Sequence, residues 1–237
     1  MELRVERDAL ADAVVWTARS LPARPPMQVL LGLLLETGRE NGPAGLSVSG
    51  CDYEVSSQIT VDVTTAEPGR VLVPGRLLAD IVRSLPPQPV DLRVEGTRVV
   101  LTCGPSRFTL PTLPVDDYPS LPAMPDVAGS VESDVFAAAV AQVALAAGRD
   151  DTLPVLTGVR VEIEGDQLTL AATDRYRLAV RTLAWKPQQD GLSVTALVPA
   201  RTLADTAKAL ASAPEVTLAL STGGSGEGMI GFAGGGR

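Results

Sequence analysis

Histidine is missing from all 237 residues. It is the side chain whose ordinary pKa lies near neutral pH, and it is also the commonest metal ligand, so its absence weighs against most hydrolase and metal chemistry. Cysteine is nearly missing as well. Cys51 and Cys103 are the only two; without CxxC spacing they read as reduced thiols in or near cores, with no metal or redox role. Aromatic residues make up 3% of the chain, too few for a recognition mode built on stacking against single-stranded bases. Apolar runs such as Val29-Leu30-Leu31 and Leu33-Leu34-Leu35 fall far short of the roughly 20 residues a membrane span needs. The opening Met1-Glu2-Leu3-Arg4-Val5-Glu6-Arg7 lacks the apolar segment and small-residue cleavage site of a signal peptide. A cytoplasmic location and no cofactor are expected. The formal net charge of −8 argues against a simple basic nucleic-acid binder, although it leaves room for a local basic surface.

What the chain does have is an internal repeat. VPGRLLADIVRSL at 73–85 matches VPARTLADTAKAL at 198–210 at an offset of 125, sharing Val, Pro, Arg, Leu, Ala, Asp and the final Leu. VLLGLLLE at 29–36 matches VLTGVRVE at 155–162, and VERDALADAVVWTA at 5–18 matches VESDVFAAAVAQVA at 131–144. Leu46-Ser47-Val48 leading to Asp52 matches Leu168-Thr169-Leu170 leading to Asp174. Two copies of one domain are expected, 1–126 and 127–237. The proline-rich PTLPVDDYPSLPAMPD at 111–126 is an extended connector, because proline fixes φ and removes backbone donors. The first copy carries 11 basic and 16 acidic residues and the second 9 and 12, so neither is a cationic tail. The second copy ends near the equivalent of Arg107, and one edge strand is expected to be missing from it.

Each copy alternates strand and helix signals. Leu10, Val14, Thr17, Ala18 and Leu21 recur at helical spacing after a cap at Asp8, and Phe136, Val140, Val143, Ala144 and Ala147 do so after Ser133. Runs rich in Val, Ile, Leu and Thr at 29–36, 45–50, 54–63 and 70–73 read as strands. A second helix follows, and then a hairpin of 90–95 and 98–103 around Glu95-Gly96-Thr97. The fold class is α+β, with antiparallel sheets and two helices per domain.

The second helix of each copy carries the most informative polar pattern. Arg76, Asp80 and Arg83 fall at i, i+4 and i+7 on one face, opposite a buried stripe of Leu78, Ile81, Val82 and Leu85. The repeat keeps this as Arg201, Asp205 and Lys208 over Leu203, Ala207 and Leu210. One face reads equally as a solvated ion-pair surface or as a phosphate-contacting one, since seven residues span about 10 Å of axis.

The motifs VERDAL at 5–10, ARPP at 23–26, VPGRLLADIVRSLP at 73–86, SRFTLPTLPVDDYPSLP at 106–122 and AATDRYRLAV at 171–180 together resemble the bacterial DNA polymerase III sliding clamp family, the β subunit, of actinobacterial type. The resemblance covers the whole chain and matches the first copy and most of the second of that family's three. It implies tandem clamp domains that act as a processivity factor without catalysis. Such chains close as a homo-oligomeric ring around double-stranded DNA, without sequence preference. They tether the replicative DNA polymerase, the clamp loader and repair proteins through short peptide motifs. It further implies that Arg24, Arg76, Arg83, Arg149, Arg201 and Lys208 face DNA. Leu156, Thr173, Arg175, Tyr176, Arg177 and Leu178 would form this chain's share of a partner-peptide pocket, with Leu156 and Leu178 as its apolar floor. Arg175 and Tyr176 stand where other members differ. Two alternatives stay open: a monomeric peptide-binding adaptor that never encircles DNA, and a six-domain ring of three chains.

Two catalytic readings are weaker. Asp52 and Asp174, one per copy, resemble a two-lobed aspartic protease, but Tyr53 and Arg175 follow where a small hydroxyl residue and glycine are needed. GGSGEG at 223–228 lacks the GK[ST] ending of a phosphate cradle and reads as a hairpin turn.

Overall fold

A computed structural model of the chain describes residues 1–38, 45–150, 152–221 and 228–237. They form two compact units, Met1–Pro122 with Gly236–Arg237, and Ala123–Gly235. Residues 223–227 of the glycine-rich turn lie outside the described residues.

In the first unit β1 (Glu2–Val5) leads into α1 (Arg7–Thr17). Then come β2 (Gly32–Thr37), β3 (Leu46–Cys51), β4 (Ser56–Val61), β5 (Val63–Glu67) and β6 (Gly69–Pro74). After α2 (Gly75–Ser84), the strands β7 (Val90–Glu95), β8 (Arg98–Cys103) and β9 (Ser106–Pro111) complete it. Two sheets result, ordered β5-β1-β7-β8-β9 and β4-β3-β2-β6. The order shows an exchange: β1, which feeds α1, pairs antiparallel with β7, while β6, which feeds α2, pairs antiparallel with β2. Each helix therefore leaves one sheet and hands the chain to the other. Pro74 ends β6 where the ladder no longer needs a donor and α2 begins at the next residue.

The amphipathic stripes decide which helix faces go inside. Leu10, Ala13, Val14 and Thr17 of α1 and Leu78, Ala79, Ile81 and Val82 of α2 are buried in one core with strand residues such as Leu33, Leu35, Val48, Leu92 and Leu101. Each fully buried leucine contributes about 1.5–3 kcal/mol. The Thr17 hydroxyl sits in this core because it donates to the Ala13 carbonyl at 2.8 Å. Arg7 donates through Nε and Nη2 to the Leu85 carbonyl at 3.2 and 3.1 Å, satisfying an acceptor at the end of α2.

Several expectations are corrected. Neither Asp8 nor Ser133 caps its helix. The cap positions are Glu6 and Glu132, and neither makes a side-chain cap bond. Asp8 instead pairs with the Arg7 guanidinium at 2.6 Å. The run 54–63 is not one strand: the chain breaks at Asp62, and β4 pairs with β3 while β5 pairs with β1 in the other sheet. The run 29–36 opens with a 3-10 turn at Gln28–Leu31 before β2. The connector is extended at its start but docked on the first unit rather than free, and it turns at 115–118, where the Tyr118 N–H donates to the Val115 carbonyl at 3.2 Å. Its first residue ends β9, Leu113 donates to the Leu72 carbonyl at 2.8 Å, and Asp116 pairs with Arg70 at 3.2 Å.

The second unit repeats the plan. It runs β10 (Val127–Glu132), α3 (Ser133–Ala144), β11 (Gly158–Glu164), β12 (Gln167–Thr173), β13 (Leu178–Ala184), β14 (Lys186–Pro187), β15 (Ser193–Pro199), α4 (Ala200–Leu210), β16 (Glu215–Leu220) and β17 (Ile230–Ala233). Its sheets are β14-β10-β16-β17 and β13-β12-β11-β15, with the same exchange of the strands that feed the helices. Among the described residues β9 has no counterpart here.

One difference between the copies is a matter of volume. Gly75 opens α2, and a Cβ built there would lie 2.5 Å from Leu21 Cδ1 and 2.7 Å from Leu33 Cγ. The second copy has Ala200 at this place, buried, and the repeat puts the smaller Ala147 and Val159 where the first has Leu21 and Leu33. Gly75→Ala is therefore expected to cost about 1–3 kcal/mol through overpacking, despite alanine's better helix propensity. Urea denaturation should show a smaller cost in a Leu21→Ala background, and equal costs in both backgrounds would contradict the volume argument.

Candidate functional site

The first candidate surface is the polar side of α2. Arg76, Asp80 and Arg83 are all exposed, over the buried residues named above. With Arg19, Val15, Ala18 and Ala79 they line a cleft of about 260 Å³ between α1 and α2. Arg76 Nη2 donates to the Pro22 carbonyl at 3.3 Å, which ties the start of α2 to the loop after α1. Arg83 Nη1 pairs with Asp80 at 3.1 Å; with both groups exposed, such a pair is worth about 0–1 kcal/mol and leaves the arginine easily redirected. Arg24 is exposed in the loop between α1 and β2 and does not line the cleft. Arg19 does line it and is not among the sequence-derived candidates. The repeat conceals it, because the equivalent place in the second copy holds Leu145.

On α4, Arg201 and Lys208 are exposed above buried Leu203, Ala207 and Leu210. Neither forms an ion pair among the described residues, so the Asp80–Arg83 pair of the first unit has no equivalent between Asp205 and Lys208. Arg149 is not with them. It lines a second cleft, of about 450 Å³, together with Leu156, Arg175, Tyr176 and Arg177.

That second cleft is built from two turns. In the loop after α3, Gly148 donates to the Leu156 carbonyl at 2.7 Å, and Asp150 Oδ1 accepts from the Thr152 N–H at 3.0 Å and its hydroxyl at 2.6 Å. In the turn between β12 and β13, Asp174 Oδ1 accepts from the N–H groups of Tyr176 and Arg177 at 3.1 and 3.0 Å, while Oδ2 takes Arg177 Nε at 2.9 Å. Thr173 donates its hydroxyl to the Arg177 carbonyl at 2.7 Å. The structure thus brings Leu156, Arg175, Tyr176 and Arg177 together. Thr173 and Leu178 instead face each other across the β12–β13 ladder at the base of the turn, outside the cleft lining. Leu178 is 68% exposed and shares its side of β13 with exposed Val180. Asp150, Leu153 and Asp174 also line the cleft and are not among the sequence-derived peptide-site candidates. Asp174 lies inside the TDRYRL motif and could have been found there.

The two aspartates of the protease reading have the same structural task. Asp52 Oδ1 accepts from the N–H groups of Glu54 and Val55 at 3.0 and 2.6 Å, as Asp174 does two and three residues on. The residue after each aspartate takes a left-handed backbone, Tyr53 at φ 75° and Arg175 at φ 80°. Both carboxylates are occupied in holding turns.

Against known proteins, residues 1–122 match the model of the DNA polymerase III beta subunit, N-terminal domain, and residues 130–237 match its central domain. The strand-exchanged pair of α+β units is the fold of solved sliding clamps. The clamp of Pseudomonas aeruginosa, solved bound to griselimycin, superposes with a TM-score of 0.83 at 30% identity over 94% of this chain and 60% of that one. The beta sliding clamp of Streptomyces coelicolor is 62% identical over all of this chain and 62% of its own length. That of Micrococcus luteus is 49% identical over all of this chain and 74% of its own length. The chain belongs to the DNA polymerase III beta subunit family. It spans less than two thirds of the Streptomyces relative's length.

Desolvation pushes the Asp174 carboxyl up, but the N–H groups of Tyr176 and Arg177 and the Arg177 guanidinium outweigh it and hold the group below its ordinary value. A lowered carboxyl pKa means that the unfolded chain binds the proton more readily. The stability it lends is complete above the ordinary aspartate value of about 3.9 and is lost as pH falls through the lower folded value. Stability measured by denaturation between pH 5 and pH 2 should fall less steeply in Asp174→Asn, and parallel curves would show that the turn does not stabilise the charged form.

Proposed function

We propose that this chain supplies clamp domains to a DNA sliding clamp, a processivity factor that encircles duplex DNA and tethers the replicative polymerase, the clamp loader and repair proteins. The observation that carries the reading is the match of both repeats to consecutive beta subunit domains. In each repeat, basic side chains stand on the polar face of the second helix. Guanidinium and ammonium groups on exposed helical faces attract phosphates through counterion release, without reading bases. That suits a protein which must slide. An acidic chain with confined basic faces also limits binding by the rest of its surface.

On this reading Arg19, Arg24, Arg76, Arg83, Arg201 and Lys208 face DNA, and Arg149 belongs to the peptide cleft, where its neighbours are Leu156 and Tyr176. Tails of partner proteins dock there, with apolar side chains against Leu153 and Leu156 and polar groups on the arginine rim. The role is non-catalytic, in keeping with Asp52 and Asp174 being held in turns.

Three measurements test the reading. Arg24→Glu with Arg83→Glu should weaken DNA binding and make the slope of log affinity against log salt shallower by about 2; an unchanged slope removes these residues from the DNA face. Retention on nicked circular DNA with loss from linear DNA supports encirclement, whereas equal loss from both supports a non-encircling adaptor. Leu156→Ala should weaken a polymerase-tail peptide about tenfold by calorimetry, through lost apolar contact, and unchanged affinity removes Leu156 from the cleft's function.

A further inference from the structure

We infer that Asp80 is an internal competitor for phosphate in the cleft between α1 and α2. It occupies Arg83 while no DNA is bound, and so holds the affinity of this face for duplex below what the three arginines of the cleft would give alone. The inference rests on the DNA-facing reading above and deepens it, by naming the residue that keeps the contact weak.

The charges of the cleft are unequally engaged. Arg19, Arg76 and Arg83 bring three guanidiniums to it, and Asp80 brings the one carboxylate. Arg19 and Arg76 form no ion pair among the described residues. Arg76 gives an N–H to the Pro22 carbonyl at 3.3 Å, a neutral acceptor that leaves its charge unbalanced. Arg83 alone is paired, through Nη1 to Asp80 Oδ1 at 3.1 Å. The rest of the lining is Val15, Ala18 and Ala79, whose side chains offer an arginine no acceptor. Two guanidiniums of the cleft therefore lack an anion, and the third has one that the chain itself supplies.

That carboxylate does little for the fold. Asp80 lies in the interior of α2, past the first turn where an acidic group complements the helix dipole. Aspartate is among the poorer helix formers at such a position. The bond to Arg83 is the one hydrogen bond its carboxylate makes among the described residues, and with both side chains more than half exposed the pair adds little stability. What Asp80 offers is an anionic oxygen, the same ligand that a backbone phosphate offers. Three residues apart on one helix, the pair forms locally and forms again whenever a phosphate leaves. A duplex passing this face thus exchanges one anion for another at Arg83, and the displaced carboxylate repels the phosphate that replaced it. Low net affinity of this kind suits a contact that must move along DNA. On α4 the corresponding Asp205 does not pair with Lys208 among the described residues, so the second unit carries an anion at the matching place without the competition.

The test measures binding of a short fluorescent duplex to the 237-residue chain by anisotropy, over a series of salt concentrations. Asp80→Asn keeps the shape of the side chain, and an unchanged urea midpoint checks that the fold is kept. It should tighten binding about 3- to 10-fold at low salt and make the slope of log affinity against log salt steeper by about 1. Asp205→Asn changes net charge equally and should tighten binding less than about twofold. In an Arg83→Gln background the gain from Asp80→Asn should also fall below about twofold, because no guanidinium is left to release.

Unchanged affinity in Asp80→Asn, an equal gain in Asp205→Asn, or a gain that survives in the Arg83→Gln background overturns the inference and leaves the DNA face standing. If Arg19→Gln with Arg76→Gln leaves duplex binding as it was, or the unaltered chain binds no duplex at the lowest salt, the DNA-facing reading of α2 fails and this inference fails with it.

Discussion

The exchange of strands between the two sheets of each unit is the constraint on which the rest of the structure depends. A helix packed on one sheet could peel away with that sheet. Here α1 is joined to β1 in one sheet and leads to β2 in the other, and α2 runs between the same two sheets in the reverse order. The helices are consequently fixed at both ends to different layers, with one continuous core per unit between them. Each has a single face left for solvent. On α2 and α4 that face is where the basic residues stand, so the placement of charge follows from topology and from the spacing of leucines alike.

The same economy governs the turns. An aspartate at the end of β3 and another at the end of β12 satisfy the backbone of the next residues and force the intervening one into a left-handed conformation. In the first unit this raises Tyr53, whose hydroxyl reaches Met27 Sδ at 3.7 Å. In the second it raises Arg175 beside a cleft. One backbone device thus serves as plain structure in one copy and as a candidate recognition element in the other.

Much of this was legible in the amino-acid sequence, and the reasons for the rest are specific. The repeat exposed both units, both helix pairs and the basic faces, because leucine spacing and charge spacing are local and survive duplication. Asp8 looked like a cap because its side chain suits that task, yet the helix begins one residue earlier, at Arg7, and Asp8 pairs with it instead. The break at Asp62 is hidden because β4 and β5 are both short runs that mix β-branched and polar residues, separated by a single residue, while they join different sheets. Arg19 could not be reached through the repeat, having no basic partner in the other copy. The resemblance groups Arg149 with the DNA-facing residues, and only three-dimensional neighbours put it beside Leu156 and Tyr176.

Gly75 carries a consequence for the history of the duplication. The two copies retain VP, LAD and the final leucine of the same helix, so by eye their segments look exchangeable. They are not, because the missing methyl of Gly75 and the extra carbons of Leu21 and Leu33 are a matched set, as are Ala200, Ala147 and Val159. Once such sets diverged, recombination between the halves at the boundary between whole units avoided a packing cost of about 1–3 kcal/mol that a crossover inside a unit incurs. Crossovers inside a unit would leave either a hole or a clash. The repeat would then stay recognisable as a repeat while its halves became free to specialise.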